Sequence, residues 1–95
     1  MTILQTVEPR LEWFIHQMRF KLYTEKNLAK GDWRDSTRDG LFDHLDEEMR
    51  ELDLALDLGK TEDIIRECAD IANLAMMLAD FVHYQEELKN ATSGS

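Results

Sequence analysis

The sequence predicts an all-α protein, a helical bundle of about three main helices per chain that oligomerisation completes as a four-helix core. Proline occurs once and glycine four times. Three of these glycines, Gly31, Gly40 and Gly59, lie between long stretches with helical hydrophobic spacing. A chain of 95 residues is one small domain, placed at residues 1–90, and residues 91–95 have the composition of a flexible tail. A chain this short buries only somewhat above ~60% of its unfolded surface, so it would gain from a partner subunit.

The first helix is predicted from about Thr6 to about Leu28. Thr6 is a suitable N-cap, and Pro9 is then acceptable because it falls in the first turn. The connection at residues 29–40 is polar and carries two glycines and a tryptophan. An apolar stripe at helical spacing supports the helix: Val7, Leu11, Phe14, Met18 and Leu22.

The second helix is predicted from Thr37 or Gly40 to Leu58, where Gly59 ends it. One side of this helix is apolar, but Glu48 falls inside the apolar stripe, between Leu45 and Leu52. An unpaired ionised carboxylate in a core is costly, so Glu48 requires a cation or a proton.

The third helix is predicted from a cap at Thr61 to about Leu88 or Lys89. From Ile64 to Val82 it is apolar nearly all round, which is typical of a helix buried on several sides. Charged and amide side chains interrupt it, which excludes a membrane span. They are Arg66, Glu67, Asp70, Asn73 and Asp80.

Two carboxylate pairs at i, i+3 spacing lie on these two helices: Glu48 with Glu51, and Glu67 with Asp70. Because the link at residues 59–60 is short, the helices are expected to be antiparallel neighbours with the pairs facing each other. Four facing acids cannot all ionise without a positive charge, and two nearby arginines do not balance them. A hard divalent cation such as Mg²⁺ fits better, since it takes oxygen ligands and bridges carboxylates to phosphates.

The two motifs EEMRE (Glu47–Glu51) and, 15 residues later, ECAD (Glu67–Asp70) match the signature EExxE and ExxD. Over residues 28–82 the chain therefore resembles the MazG-like family of all-α nucleoside triphosphate pyrophosphohydrolases, which includes dimeric dUTPases and dCTPases. KGDWRD, residues 30–35, is similar to the segment before this motif in short MazG-like proteins of phages and mobile elements.

The resemblance implies a dimer or tetramer in which Mg²⁺, or Mn²⁺ in its place, is held by carboxylates of two helices. It implies hydrolysis of the α–β phosphoanhydride of a (d)NTP to a monophosphate and pyrophosphate, in nucleotide-pool housecleaning. The implied metal ligands and catalytic residues are Glu48, Glu51, Glu67 and Asp70, and helical spacing places Glu47 outside the stripe, where it is suited to orient water. The expected substrate-binding residues around the site are Lys30, Trp33, Arg34 and Asn73.

Each of these residues also has a structural interpretation. Glu47 and Glu51 can be solvated partners of Arg50 or Lys60, Glu67 or Asp70 can pair with Arg66, and Trp33 can be a hydrophobic plug. DFVH, residues 80–83, loosely resembles one half of a di-iron motif, but such bundles need two. The alternative function is a non-catalytic acidic helical protein used for assembly with partners.

The formal charge of −9, from 20 acidic and 11 basic residues, makes binding to nucleic acid or to an anionic membrane unfavourable. The single Cys68 is expected to be a buried, reduced core thiol. The first ten residues have neither a basic region nor a long apolar run, so no signal peptide is visible and a cytoplasmic protein is expected.

Overall fold

A computed structural model of the protein describes residues 2–93 and shows four α-helices and one 3₁₀ turn in that range. The helices are α1 (Ile3–Leu22), α2 (Glu25–Leu28), α3 (Arg38–Leu58) and α4 (Thr61–Ser93), and the 3₁₀ turn is Trp33–Asp35. No strand occurs in the described residues, so the predicted all-α class is confirmed. None of the described helices combines the length and the apolar character that crossing a bilayer requires.

Helix α1 begins earlier and ends earlier than the sequence predicts. The cap is Thr2, whose backbone N–H donates to Gln5 Oε1 at 2.7 Å, and Pro9 therefore lies inside the helix and not in its first turn. The predicted end at Leu28 is wrong, because the chain turns at Tyr23 and Thr24 then caps a separate helix, α2. The Thr24 hydroxyl donates to the carbonyl of Lys21 at 3.0 Å and accepts from the backbone N–H of Asn27 at 3.4 Å.

The ends of α3 follow local sequence signals as predicted. Thr37 Oγ1 accepts from the backbone N–H of Gly40 at 2.9 Å, and Gly59 ends the helix in the left-handed conformation with φ 73°. Thr61, predicted as the cap of the next helix, is already helical, and the first bond of α4 runs from Ile64 N to Lys60 O at 3.0 Å.

Helix α4 continues to Ser93, past the predicted end at Leu88 or Lys89. Residues 91–93 of the predicted tail are therefore helical, and residues 94–95 lie outside the described range.

Helix α4 is the centre of the fold, since α3 packs along it as an antiparallel hairpin and α1 and the 3₁₀ turn also pack on it. The core is small: among the described residues, Leu41, Ala55, Ala69 and Leu74 are buried, together with Asn73. The half-buried face between α3 and α4 carries the carboxylates, and the end of α1 approaches them from the side.

Candidate metal centre

Helices α3 and α4 bring three of the predicted ligands together. Glu48 of α3 and Glu67 and Asp70 of α4 each place one carboxylate oxygen within 4.8 Å of the others, and all three residues are half-buried. An octahedral Mg²⁺ with bonds of about 2.1 Å holds neighbouring oxygens about 3 Å apart and opposite oxygens about 4 Å apart. Small side-chain movements therefore suffice to close these carboxylates around a cation.

The environment of Glu48 and Glu67 disfavours two negative charges. Burial, followed by the adjacent Glu67 carboxyl and the charges of Asp70 and Glu51, raises the pKa of Glu48 to about 8. Burial also raises the pKa of Glu67. Glu48 Oε2 and Glu67 Oε2 are buried and have no hydrogen-bond partner among the described residues. Buried polar atoms are normally satisfied, so these two oxygens fit the ligand set of a metal.

Two positive or potentially positive groups lie against the cluster, and sequence reasoning did not assign either to it. Lys21 Nζ lies 3.4 Å from Asp70 Oδ2, and His44 Nε2 lies 3.4 Å from Glu48 Oε1. The i, i+4 spacing of His44 and Glu48 was a usable signal. Lys21 and Asp70 are far apart in sequence and meet only because α1 folds back along α4.

The two nearby arginines are engaged elsewhere. Arg50 Nη2 contacts Asp46 Oδ2 at 2.7 Å, and the guanidinium of Arg66 lies within 3.8 Å of Glu62 and 3.7 Å of Asp63. In the described chain the structure therefore gives no support to the alternative in which Arg66 pairs with the ECAD carboxylates, or Arg50 with Glu47 or Glu51.

The other two acids of EEMRE lie at the mouth of the site. Glu47 and Glu51 are exposed and line the same cleft, and the charge of Glu51 is close enough to raise the pKa of Glu48. Glu51 lies outside the group of three, so its role as a ligand and the water-orienting role of Glu47 stay predictions.

A cleft of about 720 Å³ opens above the three carboxylates. Its walls come from the end of α1, from α2 and the connection at residues 29–37 that follows it, and from the facing sides of α3 and α4. Three lysines, Lys21, Lys26 and Lys30, line it together with the acids. The cleft thus has an acidic floor and cations at its side, an arrangement suited to an anion bound through a metal.

Of the predicted substrate-binding residues in the connection, two line the cleft and the third contacts α4. Lys30 and Trp33 line the cleft, and Trp33 is half-buried. Arg34 points to α4, where its Nε lies 3.0 Å from Asp80 Oδ2 and its guanidinium lies 4.4 Å from the centre of the Tyr84 ring. Substrate binding by these residues stays a prediction.

Asn73 lines the innermost part of the cleft and is only 3% exposed. Its Nδ2 donates to the backbone oxygen of Met18 at 2.9 Å, which connects α4 to α1. Its Oδ1 is buried and has no partner among the described residues. The bond to Met18 orients the amide and leaves Oδ1 as a buried acceptor without a partner among the described residues.

Within the described chain, Asp80 and His83 of DFVH contact other side chains. Asp80 accepts hydrogen bonds from Trp33 and Arg34, and His83 Nε2 lies 2.8 Å from Glu87 Oε1. Cys68 is a free thiol, as expected. It was expected to be buried, but it is only half-buried.

Comparison with protein-family models, with curated proteins and with solved structures finds no match for this chain. Its function is therefore inferred from the residues and geometry of the cleft.

Proposed function

We propose that this protein is a Mg²⁺-dependent nucleoside triphosphate pyrophosphohydrolase. It cleaves the α–β phosphoanhydride of (d)NTPs to (d)NMP and pyrophosphate, as in housecleaning of a cytoplasmic nucleotide pool. The observation that carries the proposal is the cluster of Glu48, Glu67 and Asp70 at the base of a cleft lined by lysines. The resemblance of EEMRE and ECAD to the MazG-like signature supports it.

Glu48, Glu67 and Asp70 fit Mg²⁺ or Mn²⁺ as oxygen ligands, with Glu51 available from the mouth of the cleft. When bound, the metal supplies charge neutralisation for the triphosphate and activation of the attacking water. Cation binding also resolves the electrostatic conflict in the cluster, because Glu48 no longer needs the proton that its raised pKa retains at neutral pH.

The lysines of the cleft bind the polyphosphate. An acidic cleft alone repels a nucleoside triphosphate, so cations are needed beside the metal. Lys21 Nζ lies 3.4 Å from Asp70 Oδ2, and its long side chain could turn from that carboxylate to a phosphate if Asp70 held a cation. Lys30, which also lines the cleft, adds a second positive charge.

Trp33 and Asn73 bind the nucleoside part. The indole of Trp33 offers an apolar wall for stacking on the base. Asn73 Oδ1 offers an acceptor for a hydroxyl or N–H donor, since its Nδ2 is committed to Met18. Glu47, exposed beside the cluster, is placed to orient water.

The active species is a homodimer or homotetramer whose second copy completes a four-helix core. Large apolar side chains stay exposed on one chain, including Leu4 at 82%, Phe20 at 69% and Leu58 at 74%. The same surface is what favours the alternative function, an acidic helical protein that only assembles with partners.

Analysis of the nucleotide product tests the proposal. Each common dNTP and NTP is incubated with the protein and Mg²⁺, and the products are separated by ion exchange. We expect a monophosphate and pyrophosphate, and no product with Glu67→Gln. A diphosphate product, or no turnover of any nucleotide, contradicts the proposal. The assembly alternative instead predicts no turnover together with a thermal stability that does not depend on Mg²⁺.

A further inference from the structure

A second polar cluster joins the connection at residues 29–37 to α4, ten residues along that helix from Asp70. Trp33 Nε1 donates to Asp80 Oδ2 at 2.8 Å. Arg34 donates to the same carboxylate, from Nε to Oδ2 at 3.0 Å and from Nη2 to Oδ1 at 3.3 Å. The Arg34 guanidinium also lies 4.4 Å from the centre of the Tyr84 ring. Ten residues of helix correspond to about 15 Å, so this cluster is separate from the three carboxylates.

The connection depends on this cluster for its place in the molecule. Its own backbone bonds are local: Asp35 N donates to Asp32 O and Ser36 N to Trp33 O, each at 3.1 Å. Within the described chain, the hydrogen bonds from residues 32–36 to a distant element end on Asp80. A segment with few such bonds is easily opened, so we expect loss of the Asp80 carboxylate to loosen the turn.

The Asp80 carboxylate is charged under ordinary conditions. Hydrogen bonds from Arg34, then from Trp33, hold the pKa of Asp80 below its usual value. Hydrogen bonds to an ionised acceptor are shorter and stronger than neutral ones. The indole N–H of Trp33 is thus fixed on α4, and Trp33 also lines the cleft.

We propose that Asp80 is a positioning residue, which fixes Trp33 as the base-binding wall of the cleft and makes the connection at residues 29–37 the determinant of nucleotide affinity and base selectivity. This inference rests on the proposed function, because it takes the base of a nucleotide as the ligand of that wall. Asp80 does not touch the carboxylate cluster, so it acts on binding and not on the chemical step.

The first experiment measures how firmly the connection at residues 29–37 is held in the metal-free, nucleotide-free protein. Asp80→Ala removes both acceptor oxygens and keeps a good helix former. We expect the backbone amides of Asp35 and Ser36 to exchange with solvent about tenfold faster than in the parent, as expected for the loss of a charged hydrogen bond. In a Trp13→Phe background, acrylamide should also quench Trp33 more strongly.

Glu87→Gln is the matched control, because it removes an ion-pair partner of His83 from the same helix without touching the connection. It should leave amide exchange and quenching unchanged. If Asp80→Ala does not fold, Arg34→Gln and Trp33→Phe each break part of the cluster from the other side, and each should speed exchange at Asp35 and Ser36. Parent-like exchange in the folded variants overturns the proposal.

The second experiment measures the steady-state kinetics of nucleotide hydrolysis. With Mg²⁺ and each of the four common dNTPs, Asp80→Ala should raise KM about tenfold while kcat stays within about twofold, because uniform binding is lost. Discrimination between bases should shrink, and Asp80→Asn, which keeps one acceptor, should lie between Asp80→Ala and the parent. A fall in kcat at unchanged KM overturns the positioning role. Absence of turnover in the parent overturns the proposed function and the affinity claim, while amide exchange still decides whether Asp80 holds the segment.

Discussion

Single residues determine how the carboxylate cluster responds to pH. The pKa of Glu48 is raised from 4.5 to about 8 in the folded chain, mainly by burial. Between these values the folded state holds a proton that the unfolded state has released, so folding stability must fall as pH rises. Without metal, we expect a loss on the order of 2 kcal/mol between about pH 5 and pH 8, since solvent at the mouth of the cleft screens part of the effect.

Glu48→Gln should flatten this profile, because the neutral amide cannot ionise beside Glu67. The metal-free variant should be as stable as the parent at low pH and more stable at pH 8, and it should be inactive. Urea unfolding at a series of pH values with a chelator present provides the measurement. Glu47→Gln, an exposed neighbour on α3, is the control and should keep the slope of the parent. A Glu48→Gln variant that unfolds without metal would point to a structural role for this carboxylate.

The inward direction of Glu48 follows from helical spacing alone, and so does the line of Glu67, Asp70 and Asn73. These residues were found because a helix of known phase fixes which side chains share a face. The pairing of Lys21 with Asp70 and the contacts of Asp80 with Trp33 were not predictable in this way. They join residues 49 and 47 positions apart and depend on how α1 and the connection fold back onto α4.

At the scale of helices, the sequence correctly predicted a helix end where a single capping residue determines the local geometry. Thr37 and Gly59 are such cases, as N-cap and left-handed C-cap. The break after Leu22 was missed because the chain there has neither glycine nor proline, and residues 22–28 are compatible with a continued helix. The contacts that favour the break are made by Thr24 and Asn27 with the carbonyl of Lys21. The start at Ile3 had a local signal, since Thr2 and Gln5 have capping-box spacing.

The turn at Gly59 sets α3 against α4 and thereby assembles the carboxylates. Gly59 has φ 73°, and a Cβ atom added there meets nothing within 4 Å. Gly59→Ala should therefore cost only backbone strain, about 1 kcal/mol, and lower Tm by several degrees. Thermal unfolding measures the effect. D-alanine at position 59, introduced by chemical synthesis, adopts a positive φ without strain, although its methyl group replaces the other α-hydrogen, and should be neutral or stabilising. Equal destabilisation by both would show that backbone strain is not the cause.

At the scale of the whole molecule, a single chain exposes too much surface. Its accessible area is 7373 Å², whereas a compact monomer of 11.1 kDa exposes about 5,700 Å². Its radius of gyration is 16.2 Å, against about 12 Å expected for a compact domain of this length. The excess of about 1,700 Å² per chain is the share that each partner contributes to an obligate interface. We propose that a second copy of the chain covers this surface.

The outward side of α4 is the part of this surface where a single charged substitution can test for an interface. Ala75, Ala79 and Val82 recur there at helical spacing and are exposed in one chain. We expect at least a dimer at micromolar concentration, and Ala75→Glu or Leu78→Glu should dissociate or unfold it, because an unpaired charge is costly in an apolar interface. Ala91→Glu, in the last turns of α4, is the matched control. Sedimentation equilibrium decides, and a folded, active species near the chain mass of 11.1 kDa would refute the inference.

We propose that Glu48, Glu67 and Asp70 form a divalent-metal centre. Calorimetric titration of the metal-free protein with Mn²⁺ at pH 7, in two buffers of different ionisation enthalpy, tests it most directly. Because the raised pKa keeps Glu48 protonated at this pH, metal binding must displace that proton. We predict saturable binding with release of close to one proton per site, as expected from linkage, and loss of both in Glu67→Gln. Absence of saturable binding in the parent, or equal binding by Glu67→Gln, would contradict the assignment.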